Sequence, residues 1–154
     1  KLPTFAFVFA KLTKTNLEYM ILGDCVVLVN DKEITDHRVD RLFDLGKNEI
    51  AHSRKEGVQR KTILQKIREL ANTSNGYWIG SLDESCVEHA IYESTEVTSN
   101  QIVLMSDGFY EFYSQHPEDE LEDLIVMRKQ SQEVDPIYGK KDDASILVVD
   151  LLKD

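Results

Sequence analysis

The stretch "IVLMSDGFYEF" (residues 102–112) decides the fold, because it carries a strongly apolar run straight into a polar chain reversal. The run from Ile102 to Met105 predicts a buried strand, and Gly108 predicts a turn after it. Asp107 therefore stands where the strand leaves the sheet and meets solvent. A carboxylate in that position either belongs to an ordinary Asp-Gly turn or holds a cation at the rim of the sheet.

The composition predicts one globular domain over residues 1–154, with 42% apolar and 30% charged residues. The formal net charge of −10 disfavours nucleic acid and anionic membranes as partners, because both need a surplus of Lys and Arg. Cys25 and Cys86 follow no metal or redox spacing, which predicts buried reduced thiols in a cytoplasmic protein. No stretch approaches the ~18 apolar residues of a membrane span, and no signal peptide is evident.

Apolar runs separated by turn residues predict five strands, over residues 4–11, 17–22, 25–29, 101–106 and 144–152. The first three are joined by short polar connections and predict an antiparallel meander. Gly23 interrupts the second and third strands, and its freedom allows a bulge or tight bend that re-aims Asp24.

Helical periodicity appears in the middle and late parts of the chain. The predicted helices are residues 37–52, residues 58–72, a brief helix capped by Asp83 that carries Cys86 and Ile91, and a helix from Pro117 to about 131. Pro136 and Gly139 predict a loop. Because the strands are clustered rather than alternating with helices, the pattern indicates an α+β fold.

Three aspartates share one local pattern: Asp24, Asp107 and Asp142 each adjoin a strongly apolar strand. If these strand ends meet at one edge of a sheet, the carboxylates converge, and their repulsion is costly unless cations fill the site. Magnesium or manganese prefers such oxygen ligands and acidifies a bound water, which can then attack a phosphate ester. The alternative is three solvated turn carboxylates, which are common.

Three segments resemble the metal-dependent serine/threonine protein phosphatases, the type 2C or PPM family. They are "GDCVVLV" (23–29), "VLMSDGFYEFY" (103–113) and "KKDDASILVVDL" (140–151), and they occur in the order found in that family. A further segment, "NTSNGYWIGSLD" (72–83), is similar to one in bacterial members. The resemblance implies an antiparallel β-sandwich flanked by helices, in α-β-β-α layers.

The resemblance also implies a metal centre with two Mg²⁺ or Mn²⁺ ions, held by Asp107 and Asp142. Asp24 and Glu111 match positions that hold a third, weaker ion in some members. Glu111 stands where the family more often has Asp, so its longer side chain would shift or weaken that third site. No side chain is assigned as the catalytic nucleophile, because in this family the nucleophile is a metal-activated water.

Two neighbours of these ligands complete the implied site. Gly108 belongs to the Ser-Asp-Gly motif beside Asp107. Asp143 replaces the usual Asn, and it either accepts a hydrogen bond behind the ligands or is simply solvated. The four histidines are scattered without a zinc spacing.

The resemblance covers only the C-terminal half to two-thirds of the phosphatase domain. The family's first strand with its phosphate-binding Arg, and its early Asp-Gly motif, find no match here, so the N-terminal strands are missing from this chain. On its own the chain is expected to bind metal poorly and to expose apolar faces of strands.

The implied function is hydrolysis of phosphoserine or phosphothreonine in proteins, or of small phosphoesters. A catalytically inactive regulatory or scaffold domain with the same fold is the alternative. A different phosphoryl-transfer fold with Asp107 as nucleophile ranks below both, since its expected Lys and Thr partners are not evident.

Overall fold

The computed structural model describes residues 3–52, 59–132 and 143–151. These ranges form an α+β fold. The strands are β1 (Phe7–Leu12), β2 (Asn16–Leu22), β3 (Val26–Val29), β4 (Lys32–Ile34), β5 (Ile91–Glu96), β6 (Gln101–Met105) and β7 (Ile146–Asp150). The helices are α1 (Arg38–His52), α2 (Gln59–Glu69), a 3₁₀ helix (Glu84–His89), α3 (Asp107–Ser114) and α4 (Leu121–Gln130).

The strands form two antiparallel sheets. The first sheet has the order β1-β2-β5, and the second has the order β4-β3-β6-β7. One apolar core joins them, with Tyr19 and Ile21 from the first sheet against Val27 and Val29 from the second. Because alternate residues of each strand point to this shared core, the arrangement is sandwich-like.

The predicted three-stranded meander is wrong. The β1–β2 pair exists, but β2 continues to β5, whereas β3 lies in the other sheet between β4 and β6. The chain changes sheets at Gly23, which has a φ of +90° and would place a Cβ only 2.7 Å from that of Ala6. Val26 and Val27 are both buried, because β3 is a central strand covered on both faces.

A two-residue turn after β3 produces β4, which the sequence did not predict. Asn30 and Asp31 have φ values of 53° and 57°, the left-handed pair that suits a tight hairpin. The Asn30 side chain also fastens this turn to the segment between β5 and β6. Its Oδ1 accepts hydrogen bonds from the backbone N–H groups of Thr98 at 2.7 Å and Ser99 at 3.0 Å.

Helices α3 and α4 cover the outer face of the second sheet. Val103 and Met105 of β6 pack there against Phe109 of α3 and Leu124 of α4. The sequence predicted only a turn at Asp107, but burial of the aromatic face of α3 stabilises a helix that starts at this residue.

Two predicted helix boundaries are corrected. Helix α4 begins at Leu121 with Glu120 at its N-cap position, so Pro117 precedes the helix instead of starting it. Asp83 does cap the brief helix, since its carboxylate accepts a hydrogen bond from the Ser85 N–H at 3.0 Å. That helix ends before Ile91, which begins β5.

The α1–α2 pair confirms the two helices predicted for the middle of the chain. Val39, Ile63, Ile67 and Tyr77 form their common cluster. The connection around Gly57 and the predicted loop at Pro136 and Gly139 lie outside the described residues.

Two further predictions concern the thiols and the membrane. Cys25 and Cys86 are buried free thiols, as predicted. In the described ranges, no helix has the length and apolar character needed to span a membrane.

Candidate metal centre at one edge of the second sheet

The pairing of β3 with β6 brings two of the predicted ligands to the same edge. Val26 pairs with Met105 at the end of this ladder. Asp24 and Asp107 each lie two positions beyond that pair, so the antiparallel register places both at one end of the second sheet. Asp24 is half-buried, and Asp107 is exposed.

Strand β7 enters the sheet at this edge too. Met105 pairs with Ile146, and beyond that pair the Ser106 N–H donates to the Ser145 carbonyl at 3.0 Å. The Ser145 N–H returns a hydrogen bond to the Ser106 hydroxyl at 2.9 Å. Asp143, which is exposed, therefore lies at the edge that carries Asp107.

The outcome for Asp142 is different, because this predicted ligand lies outside the described residues. Its neighbour Asp143 is the first described residue before β7, and the hydroxyl of Ser106 holds the following segment in place. Ser106 occupies the N-cap position of α3 but makes no side-chain capping bond, since its oxygen serves β7 instead.

Helix α3 brings Glu111 to the side of Asp107. The two residues are four apart, so they project from the same face of the helix, and both are exposed. Asp107 lies in the first turn, where the helix dipole favours a negative charge. Gly108 is buried directly behind it.

The negative charge at this edge affects the pKa of the Cys25 thiol. Its pKa is raised to about 12, chiefly by burial and then by the charges of Asp24 and Asp107. Both carboxylates therefore act on the same thiol. A cation bound at this edge would reduce the repulsion between such like charges.

The donor types at this edge fit magnesium or manganese, since all are carboxylate oxygens at a solvent-facing rim. Within the ranges that the structure describes, however, no group of three or more His, Cys, Asp or Glu side chains is placed to hold a metal ion. Asp142 is not among those residues. Of the predicted ligands, Asp24 and Asp107 are the two that the β3–β6 register brings to this edge.

The aromatic residues after Asp107 pack behind the edge. Phe109 and Phe112 are buried against the second sheet. Tyr110 donates a hydrogen bond to Glu33 of β4, which ties α3 to the neighbouring edge strand. Burial and the Glu33 contact raise the pKa of Tyr110.

A cavity beside this edge was not predicted. It is partly open to solvent and has a volume of about 340 Å³. The described residues that line it are Phe109, Ile125, Arg128, Lys129, Asp143, Ala144 and Ile146. Arg128 is only 8% exposed, and its guanidinium carbon lies 5.7 Å from the ring centre of Phe112. The sequence signal for the burial of Arg128 was its spacing. Arg128 follows the apolar Leu121 and Leu124 at helical intervals and so extends the buried face of α4.

Comparison with known proteins adds no family assignment: no protein-family model matches the chain, and no curated protein matches it. The resemblance to the PPM phosphatases therefore depends on the three motifs and the further segment at residues 72–83.

Proposed function

We propose that this chain is part of a metal-dependent serine/threonine protein phosphatase of the PPM type, acting in the cytoplasm. The observation that carries the proposal is the register of β3 and β6, which brings Asp24 and Asp107 to one edge of the second sheet. Two segments far apart in sequence thus contribute carboxylates to one exposed rim. Substrates of this enzyme are phosphorylated proteins or small phosphoesters.

In this proposal, Asp107 and Asp142 hold two Mg²⁺ or Mn²⁺ ions, and Asp24 and Glu111 contribute to a third. The bound ions would supply the positive charge that acidifies a water molecule and neutralises the phosphate. The α-β-β-α layering of the PPM phosphatases is part of the same proposal. The shared core of the two sheets and the α3–α4 layer support it.

The chain's own residues keep the carboxylates in place. The pair of hydrogen bonds between Ser106 and Ser145 fixes the ends of β6 and β7 relative to each other. Burial of Phe109 and Phe112 fixes the direction in which α3 leaves the sheet, and with it the position of Asp107. Such supports reduce the reorganisation that metal and substrate binding would otherwise require.

A regulatory or scaffold domain that has lost catalysis is the second candidate. It is favoured by the incomplete ligand set, because the described residues bring no group of three metal-ligating side chains together. The two candidates differ in one measurable property, which is metal-dependent turnover.

The test uses the intact protein with Mn²⁺ and a generic aryl phosphate. We expect phosphate release that requires the metal and that Asp107→Asn abolishes, because the amide cannot supply the anionic oxygen. Asp107 is exposed, so this near-isosteric change should leave the fold stable. The matched control is Asp150→Asn, at the far end of β7, which should retain activity.

Three results would decide against the proposal. Normal turnover by Asp107→Asn would show that Asp107 is not a metal ligand. An intact protein without metal-dependent activity indicates the scaffold. A trapped phosphoryl group on Asp107 indicates a nucleophilic aspartate.

A further inference from the structure

The cavity beside the carboxylate edge lies between α4 and the start of β7. Met105 of β6 pairs with Ile146 of β7. Asp107 lies two positions after Met105, and Ala144, which lines the cavity, lies two positions before Ile146. The cavity and the proposed metal edge are therefore neighbours. An extended substrate bound at this edge advances roughly 3.3 Å per residue, so the residues beside the phosphorylated one are its candidates for entering the cavity.

The cavity can take one side chain. Its volume is about 340 Å³. Phe109, Ile125 and Ile146 provide an apolar wall, which suits the methylene groups of a side chain. This size is at the small end of ligand sites in proteins.

The described lining of the cavity carries more positive than negative charge. Among the lining residues that the structure describes, Arg128 and Lys129 from the last turn of α4 are positively charged, and Asp143 is negatively charged. The chain as a whole carries a formal net charge of −10. An apolar wall combined with a local positive charge is complementary to a side chain that has an apolar stem and an acidic tip.

We propose that this cavity binds an acidic residue next to the phosphorylated serine or threonine of a protein substrate. This inference rests on the proposed function and adds a substrate preference to it. When the substrate phosphate lies at the carboxylate edge of the protein, the side chain of the flanking acidic residue extends along the apolar wall. Its carboxylate then contacts the Lys129 ammonium group. Small phosphoesters have no group that reaches the cavity.

The experiment compares four phosphoserine peptides that differ only in the residue beside the phosphoserine: Glu, Gln, Leu or Lys. Their binding to the intact protein is measured by fluorescence anisotropy, and kcat/KM is measured alongside. We expect Glu to be preferred over Gln by about 5-fold at low salt, the size of one partly exposed ion pair. The preference should shrink in 0.5 M salt, because the ion pair is screened.

Lys129→Gln is the decisive variant, since it removes the charge and keeps most of the side-chain length. It should reduce the Glu-over-Gln ratio to less than about 2-fold while leaving hydrolysis of an aryl phosphate unchanged. Lys66→Gln is the matched control, because Lys66 is an exposed lysine in the last turn of α2. That variant should keep the wild-type ratio.

The outcomes separate this inference from the proposed function. If the protein hydrolyses the aryl phosphate but does not discriminate between the peptides, the proposed role of the cavity is refuted and the proposed phosphatase function is not. Discrimination in binding without any turnover supports the cavity and refutes the phosphatase. A preference for Leu, an unchanged ratio in Lys129→Gln, or no binding of any peptide would overturn the inference.

Discussion

Replacing Leu124 by Ala tests the attachment of α4 to the second sheet. Leu124 has 0% exposure and lies in the cluster that α3 and α4 share with the sheet. Leu-to-Ala changes at such sites cost about 2–5 kcal/mol, through lost burial and the cavity left behind. Ala is at least as good a helix former as Leu, so the loss measures packing alone.

The assay is urea unfolding followed by far-UV circular dichroism. With a slope of about 2 kcal/mol per molar urea, the midpoint should fall by about 1–2.5 M in Leu124→Ala. The control is Val126→Ala in the same helix, where the side chain is 51% exposed and the change should stay within about 0.5 kcal/mol. Equal midpoints for the two variants, or a loss below about 1 kcal/mol in Leu124→Ala, would refute the packing of α4 on the sheet.

Three other predictions concern a buried tyrosine of the first sheet and the turn between β3 and β4. The Tyr19 hydroxyl donates to Glu93 at 2.8 Å, and burial followed by this contact raises its pKa from 10.0 to about 12. The stabilising contribution of the Tyr19 phenol is therefore complete below pH 10 and lost between about pH 10 and 12. Across that range, the free energy of unfolding should depend less on pH in Tyr19→Phe than in wild type. An equal pH dependence in the two proteins would contradict this. Asn30→Ala should lower the free energy of unfolding by about 2–3 kcal/mol, because it puts Ala at positive φ and removes the bonds to the Thr98 and Ser99 N–H groups. Asp31→Gly, also at positive φ but with the turn geometry that glycine prefers, should be neutral or slightly stabilising, and a loss as large as that of Asn30→Ala would argue against the turn.

The continuous apolar runs were the most predictive part of the sequence. Residues 25–29 and 102–105 form central strands because both of their faces are covered, by the shared core on one side and by α3 and α4 on the other. An uninterrupted run of Val, Leu and Ile suits a strand that is buried on both faces. The position of Asp107 at a strand end followed directly from the end of such a run.

Strand β5 was missed because its stabilisation comes from a distant partner. Only Ile91 and Thr95 of "IYESTE" are partly buried, and the run contains two glutamates. It is an edge strand, and its Glu93 accepts a hydrogen bond from Tyr19, 74 positions earlier. No local pattern contains that contact.

Two tertiary effects also overrode local signals. At Asp107 the Asp-Gly pair and the aromatic residues favour a turn or strand, yet burial of Phe109 and Phe112 stabilises a helix. At Gly23 a short connection suggested a hairpin, but the close approach of Ala6 and a positive φ send the chain into the second sheet. The cavity at Arg128 could not be predicted either, since it forms between α4 and a strand that follows it in sequence.

The most direct test of the central claim is the binding of Mn²⁺ to the intact protein, measured by isothermal titration calorimetry. The claim is that strand-end carboxylates at one edge of the second sheet hold divalent cations. Asp107→Asn should then weaken Mn²⁺ binding at least about 10-fold, while Asp150→Asn, at the opposite end of the same sheet, should bind like wild type. Equal affinity in all three proteins, or no binding to the wild type, would contradict the claim.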